Sequence, residues 1–163
     1  MVRPISTEQG SLVADLERLC HDSTHLEGPD FFRQLFRTFP GCSLGKFADN
    51  DTLIAYCIAH PILPNTIPPL GKIIPCELET GLDWFVHDVV VHPDFRGQGL
   101  VPMLINESIG LASDLDCKNV SLVAIDGRQE YWKRFGFTTQ YDCPDHLGYG
   151  RAVSMSKPIP GFE

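Results

Sequence analysis

The feature that most restricts the fold is an apolar segment that leads through a glycine loop into a helix. Residues 84–92 are rich in β-branched side chains and almost continuously apolar, which predicts a central strand covered on both faces. The loop that follows reads Arg96-Gly97-Gln98-Gly99-Leu100. Apolar spacing over residues 101–114 then predicts a helix. A strand, a glycine turn and a helix in this order indicate one unit of an α/β sheet.

The rest of the chain predicts further strands and helices around this unit. We expect a short strand at residues 2–5, two helices before residue 40 and a hairpin over residues 43–60. Residues 61–82 are rich in proline and predict a long irregular loop. The remaining elements predicted are strands at 120–125, 137–141 and 152–157 and a short helix at 129–135. The fold class expected is α/β (α+β), with a mixed central sheet flanked by helices, in one domain of residues 1–163.

Charge and cysteine usage exclude several classes of protein. The chain has 13 Lys and Arg against 21 Asp and Glu, a net charge of −8, which disfavours binding to nucleic acid and to anionic membranes. No apolar stretch approaches the length of a membrane span or a signal peptide. The six cysteines form no C-x-x-C pair, which argues against a zinc site and fits reduced thiols. We therefore expect a cytoplasmic protein with no metal, no nucleic acid and no membrane partner.

The glycine loop has the features of an anion site. Glycines allow the backbone to turn sharply and bring its N–H groups close to a ligand. The helix behind the loop adds unpaired N–H groups and the positive end of its dipole, and together these favour a pyrophosphate. Arg96 adds a cation. A Walker loop is excluded because no Gly-Lys-Ser/Thr follows, and the Rossmann pattern is poor because its third glycine is missing.

Two separated motifs resemble one known family. The first motif reads Val89-Val90-Val91-His92-Pro93-Asp94-Phe95-Arg96-Gly97-Gln98-Gly99-Leu100, and the second reads Tyr131-Trp132-Lys133-Arg134-Phe135-Gly136-Phe137. Their order and spacing are similar to those of the GCN5-related N-acetyltransferases (GNAT). The loop of that family reads Arg/Gln-x-x-Gly-x-Gly/Ala, and Val101 replaces its last small residue here. The resemblance is strong over residues 84–137 and implies the acyl-CoA N-acyltransferase fold.

This resemblance implies an acetyl-CoA site without a metal. The backbone of Val89, Val90 and Val91 would pair with the pantetheine arm as an added strand. The backbone N–H of Val89 or Val90 would stabilise the tetrahedral oxyanion. Trp132 would pack against the coenzyme arm. The pyrophosphate would be held by Arg96, Gly97, Gln98, Gly99, Leu100 and Val101.

Catalytic roles also follow from the resemblance. In the arylalkylamine (serotonin-type) branch, a His-x-His pair on this strand acts as the base through water. His87 matches the second histidine of that pair and Phe85 stands in place of the first, so His87 is either the base or a hydrogen-bonded rim histidine. Asp88 points to the opposite face by strand alternation, and we expect it to be a structural partner.

Two candidates exist for the general acid. The family places a tyrosine four residues before the Gly of the Gly-Phe pair, and Trp132 holds that position here. Tyr131 lies one residue earlier. Either Tyr131 or solvent would therefore protonate the departing thiolate.

The function expected is direct acetyl transfer from acetyl-CoA to a primary amine of a small molecule, an arylalkylamine or a polyamine. The alternative is a noncatalytic acyl-CoA-binding module of the same fold. Phe85 and Trp132 favour that alternative, because both are apolar where polar groups are expected. The family's habit of dimerising suggests a homodimer.

Overall fold

A computed structural model describes residues 1–77 and 81–161 and shows a mixed sheet flanked by helices. The strands are β1 (Val2–Pro4), β2 (Leu44–Phe47), β3 (Leu53–Ile62), β4 (Asp83–Val91), β5 (Asn119–Ile125), β6 (Thr138–Asp142) and β7 (Ala152–Pro158). The helices are α1 (Gly10–Cys20), α2 (Pro29–Thr38), α3 (Leu100–Asp114) and α4 (Gln129–Lys133). Short 3₁₀ helices lie at Thr7–Gln9, Pro93–Phe95 and Asp145–Leu147.

The seven strands follow the order β1-β2-β3-β4-β5-β7-β6. Strands β4 and β5 are parallel, and α3 lies between them in the chain. A parallel pair needs such a long crossover, because a tight turn can only reverse the chain. The pairs β1–β2, β2–β3, β5–β7 and β6–β7 are antiparallel. The prediction of a mixed central sheet flanked by helices is confirmed.

Residue contacts divide the chain into two units. The first contains Met1–His60 and Asp88–Ser108, and the second contains Pro61–His87 and Ile109–Glu163. Strand β4 and helix α3 therefore contribute residues to both units. The expectation of one domain over residues 1–163 stays a prediction.

The core of the first unit is aromatic. Helix α2 buries Phe32, Leu35 and Phe36 along one stripe, the 3.6-residue spacing that a core-facing helix requires. The ring of Phe32 lies 6.2 Å from that of Phe36 and 6.4 Å from that of Tyr56, measured between centroids. Every residue of β3, which carries Tyr56, is buried.

In the second unit, the proline-rich segment after β3 is held by specific contacts. Tyr149 donates its hydroxyl hydrogen to the carbonyl of Pro68 at 2.5 Å, and the amide of Leu70 donates to the carbonyl of Leu147 at 2.8 Å. Tyr149 is buried in a small apolar cluster that also contains Ile67 and Leu70. The segment is therefore docked on the loop that precedes β7, and residues 63–77 of it form neither a helix nor a strand.

We predict that Tyr149→Phe loosens this segment. The substitution keeps the buried ring but leaves the Pro68 carbonyl without its hydroxyl donor, a loss of about 1–2 kcal/mol. Lys72 is the one tryptic site within residues 61–82, so limited trypsinolysis followed by mass spectrometry reports opening as the fragments 1–72 and 73–163. Cleavage at Lys72 should be several-fold faster in the variant. Equal cleavage rates would show that the hydroxyl does not hold the segment.

Candidate active site

The burial of strand β4 decreases along its length. Residues 83–86 are buried, whereas His87, Asp88, Val89 and Val91 are half-buried, with Val90 buried between them. The parallel register with β5 runs from Trp84 opposite Val120 to Val86 opposite Leu122. The expectation of a strand covered on both faces is therefore correct for residues 83–86 and wrong for most of residues 87–91. Residues 89–91, which the family resemblance assigns to the coenzyme, lie in this more accessible half.

The turn after β4 is built by His92. Its backbone N–H donates to the carbonyl of Ile54 at 2.8 Å, and its Nδ1 accepts a hydrogen bond from the amide of Asp94 at 3.2 Å. Gly97 and Gly99 follow with φ of 75° and 73°. Side chains with a Cβ rarely adopt this left-handed region, which explains glycine at both positions. A Cβ at either glycine would contact nothing within 4 Å, so the space over both is open.

The amides of this loop are available to a ligand. Residues 96–99 are exposed, and α3 begins at Leu100. The first amides of a helix have no intrahelical acceptor, so those at the start of α3 can donate to a ligand. Exposed N–H groups at the start of a 15-residue helix form an anion site, so these residues fit the pyrophosphate of coenzyme A.

Arg96 connects the loop to β4. Its Nε donates to the carbonyl of Val91 at 3.3 Å, and its Nη2 lies 3.9 Å from the Sγ of Cys20. The structure therefore brings together, within the first unit, the loop and the strand residues that the sequence assigns to acetyl-CoA.

Asp88 is the centre of a polar network that includes two residues missed by sequence reasoning. The buried hydroxyl of Tyr56 donates to Oδ2 of Asp88 at 2.8 Å. Nε2 of His21 lies 2.9 Å from Oδ1 and 3.0 Å from Oδ2. Burial, reinforced by the Asp88 carboxylate, raises the pKa of Tyr56 well above its usual value, so its hydroxyl stays protonated and donates. Asp88 is therefore bonded to two other elements, and its expected role as a structural partner stays a prediction.

A second carboxylate holds the chain between α1 and α2. Glu17 is buried, and its two oxygens accept the amides of Glu27 at 2.8 Å and Gly28 at 3.2 Å. Burial raises the pKa of Glu17, and the two N–H bonds partly oppose this shift. Glu17 precedes His21, the extended residue that directly follows α1, by four residues.

The second unit contains the other predicted site residues. His87 is half-buried with its ring 5.9 Å from that of Phe85. Tyr131 lies on α4 with its ring 5.3 Å from that of Trp132, and the Arg134 guanidinium lies 4.8 Å from its centroid. Burial raises the pKa of Tyr131, so the phenol is protonated at neutral pH, as a proton donor must be. The roles of His87, Tyr131 and Trp132 stay predictions.

The described residues contain neither a cluster of metal ligands nor a helix of membrane-spanning length. No group of three or more His, Cys, Asp or Glu side chains in this part of the chain could hold a metal ion. No helix within residues 1–77 or 81–161 is long and apolar enough to cross a membrane.

We predict that Tyr56→Phe destabilises the protein by about 1.5–3 kcal/mol, because it removes a buried hydrogen bond to a carboxylate. Urea unfolding measures the change. The matched control is Tyr141→Phe, the same substitution at a residue of β6 that is 44% exposed, which should change stability by less than about 0.5 kcal/mol. Equal effects of the two substitutions would contradict the importance of the Asp88 network.

The chain is similar in sequence to known acetyltransferases. A sequence model of the acetyltransferase (GNAT) family matches residues 11–137. An uncharacterized N-acetyltransferase ycf52 of Gracilaria tenuistipitata var. liui is 36% identical over 64 residues, which are 39% of this chain and 35% of that protein. The matched region thus spans about a third of the length of this curated relative.

Solved structures share the fold at low sequence identity. The loading GNATL domain of CurA from Lyngbya majuscula aligns with a TM-score of 0.81 and 12% identity, over 98% of this chain and 97% of that one. The NatC complex bound to Gag peptide and CoA has a TM-score of 0.72 at 12% identity, covering 98% of both chains. A mosquito arylalkylamine N-acetyltransferase like 5b has a TM-score of 0.68 at 14% identity, covering 98% and 99%. At such identities the likeness shows the fold alone.

The family match includes the strand, the glycine loop and the helix that carry the anion site, as well as Tyr131 to Phe137. It covers well over half of the chain. The chain belongs to the acetyltransferase (GNAT) family.

Proposed function

We propose that this protein is an acetyl-CoA-dependent N-acetyltransferase that transfers an acetyl group directly to a primary amine of a small molecule. The observation that carries the proposal is the exposed loop of residues 96–99, which has left-handed glycines at 97 and 99 and leads directly into α3. Membership in the GNAT family supports the same reaction class.

Coenzyme binding is assigned to the first unit and to one aromatic residue. The amides of residues 97–101 hold the pyrophosphate, and Arg96 adds positive charge beside them. The backbone of residues 89–91, of which Val89 and Val91 are half-buried, pairs with the pantetheine arm. Trp132 packs against the coenzyme. Bound acetyl-CoA supplies a thioester, whose carbonyl is activated for attack by an amine.

Two steps of the reaction are assigned to β4. The main-chain N–H of Val89 or Val90 donates to the carbonyl oxygen as it becomes negative, which lowers the barrier to attack. His87 accepts the proton of the amine through water, since a protonated amine has no lone pair with which to attack. Half-burial of His87 fits this role, because a solvent path to the imidazole is required.

Tyr131 is the proposed donor of a proton to the departing thiolate. Its pKa is raised by burial, so it carries the proton at the pH of the reaction. Solvent is the alternative donor.

The net charge of the chain and the names of similar structures support the proposed class of acceptor. A net charge of −8 attracts cations, which favours an arylalkylamine or a polyamine. One structural neighbour is named an arylalkylamine N-acetyltransferase like 5b, and another is a complex bound to a peptide. A panel of arylalkylamines, polyamines and peptides with free N-termini therefore tests the acceptor class.

We predict that calorimetry shows binding of acetyl-CoA and that Gly99→Val weakens it at least tenfold. Valine is strained at a φ of 73°, so the loop must move and its amides no longer converge on the phosphates. The matched control is Gly41→Val, which has a φ of 79° and equally open space, and which should bind acetyl-CoA as the unchanged protein does. No binding of acetyl-CoA by well-folded protein would end the case for this function.

We predict that His87→Ala lowers kcat for acetyl transfer by about 100-fold or more, with the loss largest on the acidic side of the pH–rate profile. The assay follows release of the CoA thiol with the amine panel between pH 6 and 9. His146→Ala, at an exposed histidine, is the control and should leave the rate unchanged.

Two outcomes would change the assignment of the base or favour the noncatalytic module over an enzyme. Full turnover of His87→Ala across this pH range would show that the base assignment is wrong while the enzyme class stands. Acetyl-CoA binding without thiol release by the unchanged protein, for every amine in the panel, would favour the noncatalytic module.

A further inference from the structure

The backbone carbonyl of Val91, the last residue of β4, points away from β3. The next amide in the chain, that of His92, donates to the carbonyl of Ile54 in β3 at 2.8 Å. The peptide bond between Val91 and His92 is trans, so its C=O and its N–H point in opposite directions. The Val91 carbonyl therefore lies on the edge of β4 that β3 does not occupy, which is the edge where an added strand has to pair.

Two side chains of the first unit already donate to this carbonyl. Nε of Arg96 lies 3.3 Å from the oxygen, and Sγ of Cys20, at the end of α1, lies 3.7 Å from it. Burial raises the pKa of Cys20, so its thiol is protonated and can donate. Nη2 of Arg96 also lies 3.9 Å from Sγ of Cys20, so the three groups contact one another. A carbonyl oxygen has two lone pairs, and these two donors take both.

The proposed pairing of the coenzyme requires the same carbonyl. An arm that pairs with residues 89–91 as an added strand donates its amide N–H groups to carbonyls on the edge away from β3, and Val91 supplies the last of these. Arg96 and Cys20 therefore compete with the arm for this acceptor. One of the two donors has to leave before the arm can pair at Val91.

Arg96 is the donor that can leave. It is exposed, and its 3.3 Å contact is longer than is usual for an N–H···O hydrogen bond, so little is lost when the contact breaks. It also directly precedes Gly97 in the loop assigned to the pyrophosphate. A guanidinium can form two parallel hydrogen bonds with a phosphate of opposite charge, whereas the Val91 carbonyl is neutral and accepts only one of its N–H groups.

Resting on the proposed function, we propose that the hydrogen bond from Arg96 to the Val91 carbonyl is a latch that couples the two ends of the coenzyme site. Without a pyrophosphate, the latch is closed and opposes pairing of the pantetheine arm. A bound pyrophosphate draws the guanidinium away, which frees one acceptor site at Val91 for the arm. The diphosphate thus raises the affinity for the arm in addition to making its own contacts. The latch selects complete acyl-CoA over acyl thioesters that lack the diphosphate.

The test measures one substitution against two ligands. S-acetylpantetheine has the arm without the diphosphate, and acetyl-CoA has both. NMR titration gives the Kd for the first ligand, and calorimetry gives the Kd for the second. We expect Arg96→Ala to bind S-acetylpantetheine at least threefold more tightly than the unchanged protein and acetyl-CoA at least threefold more weakly. An arginine that only attracts anions or shapes the loop would not move the two affinities in opposite directions.

The matched control is Arg37→Ala, which removes the same side chain and charge at an exposed position of α2. Both of its Kd values should stay within twofold of those of the unchanged protein. Inorganic pyrophosphate is a second probe, because it can open the latch without supplying an arm. At saturation it should raise the affinity of the unchanged protein for S-acetylpantetheine at least threefold, and it should leave the affinity of Arg96→Ala within twofold.

Three results would contradict these expectations. Equal or weaker binding of S-acetylpantetheine by folded Arg96→Ala, absence of binding by both proteins included, overturns the latch, while acetyl-CoA binding by the unchanged protein leaves the proposed function in place. A gain in Arg96→Ala that pyrophosphate does not reproduce in the unchanged protein also overturns the latch, because its opening would then not depend on the phosphates. Failure of the unchanged protein to bind acetyl-CoA overturns the proposed function, and the latch falls with it.

Discussion

A backbone N–H that has no partner inside the protein must find one elsewhere, and this constraint governs the end of β4 and the start of α3. The first four residues of β4 are buried, and residues 84–86 pair with β5. The following residues are mostly half-buried, and the loop amides of residues 97–101 lie at a helix start where no intrahelical acceptor exists. The site proposed for the coenzyme lies along these strand residues and at this helix start.

Two carboxylates impose a second constraint on the first unit. A carboxylate that is shielded from water is costly without donors, and the half-buried Asp88 and the buried Glu17 each receive two. The donors come from β3, from the end of α1 and from the connection before α2. These elements are therefore fixed to one another by hydrogen bonds in addition to the aromatic core around Phe32.

Local patterns predicted most elements to within one or two residues. The strand expected at residues 84–92 is Asp83–Val91, and the helix expected at 101–114 is Leu100–Asp114. Both have strong periodicity and clear ends, and such elements are the ones that pattern reasoning locates best. The short helix expected at 129–135 ends earlier, at Lys133, because its last residues form a tighter turn toward Gly136.

Other features could not be read from local patterns. The apolar residues 87–91 look as buried as residues 83–86, because composition alone does not show where a strand loses its neighbour. The partners of Asp88 are 32 and 67 residues away in the chain. A tyrosine within the buried strand β3 was a signal, since its hydroxyl requires a partner, but no pattern named that partner.

The sequence by itself determined the α/β fold class and the glycine loop, because apolar periodicity and the need for positive φ are local properties of the chain. It also contains the two family motifs in the order and at the spacing that are typical of the family. Only the tertiary structure decided which end of β4 is accessible, that Asp88 joins Tyr56 to His21, and that Tyr149 holds the proline-rich segment. These are contacts between residues far apart in the chain, and they exist only once packing brings the residues together.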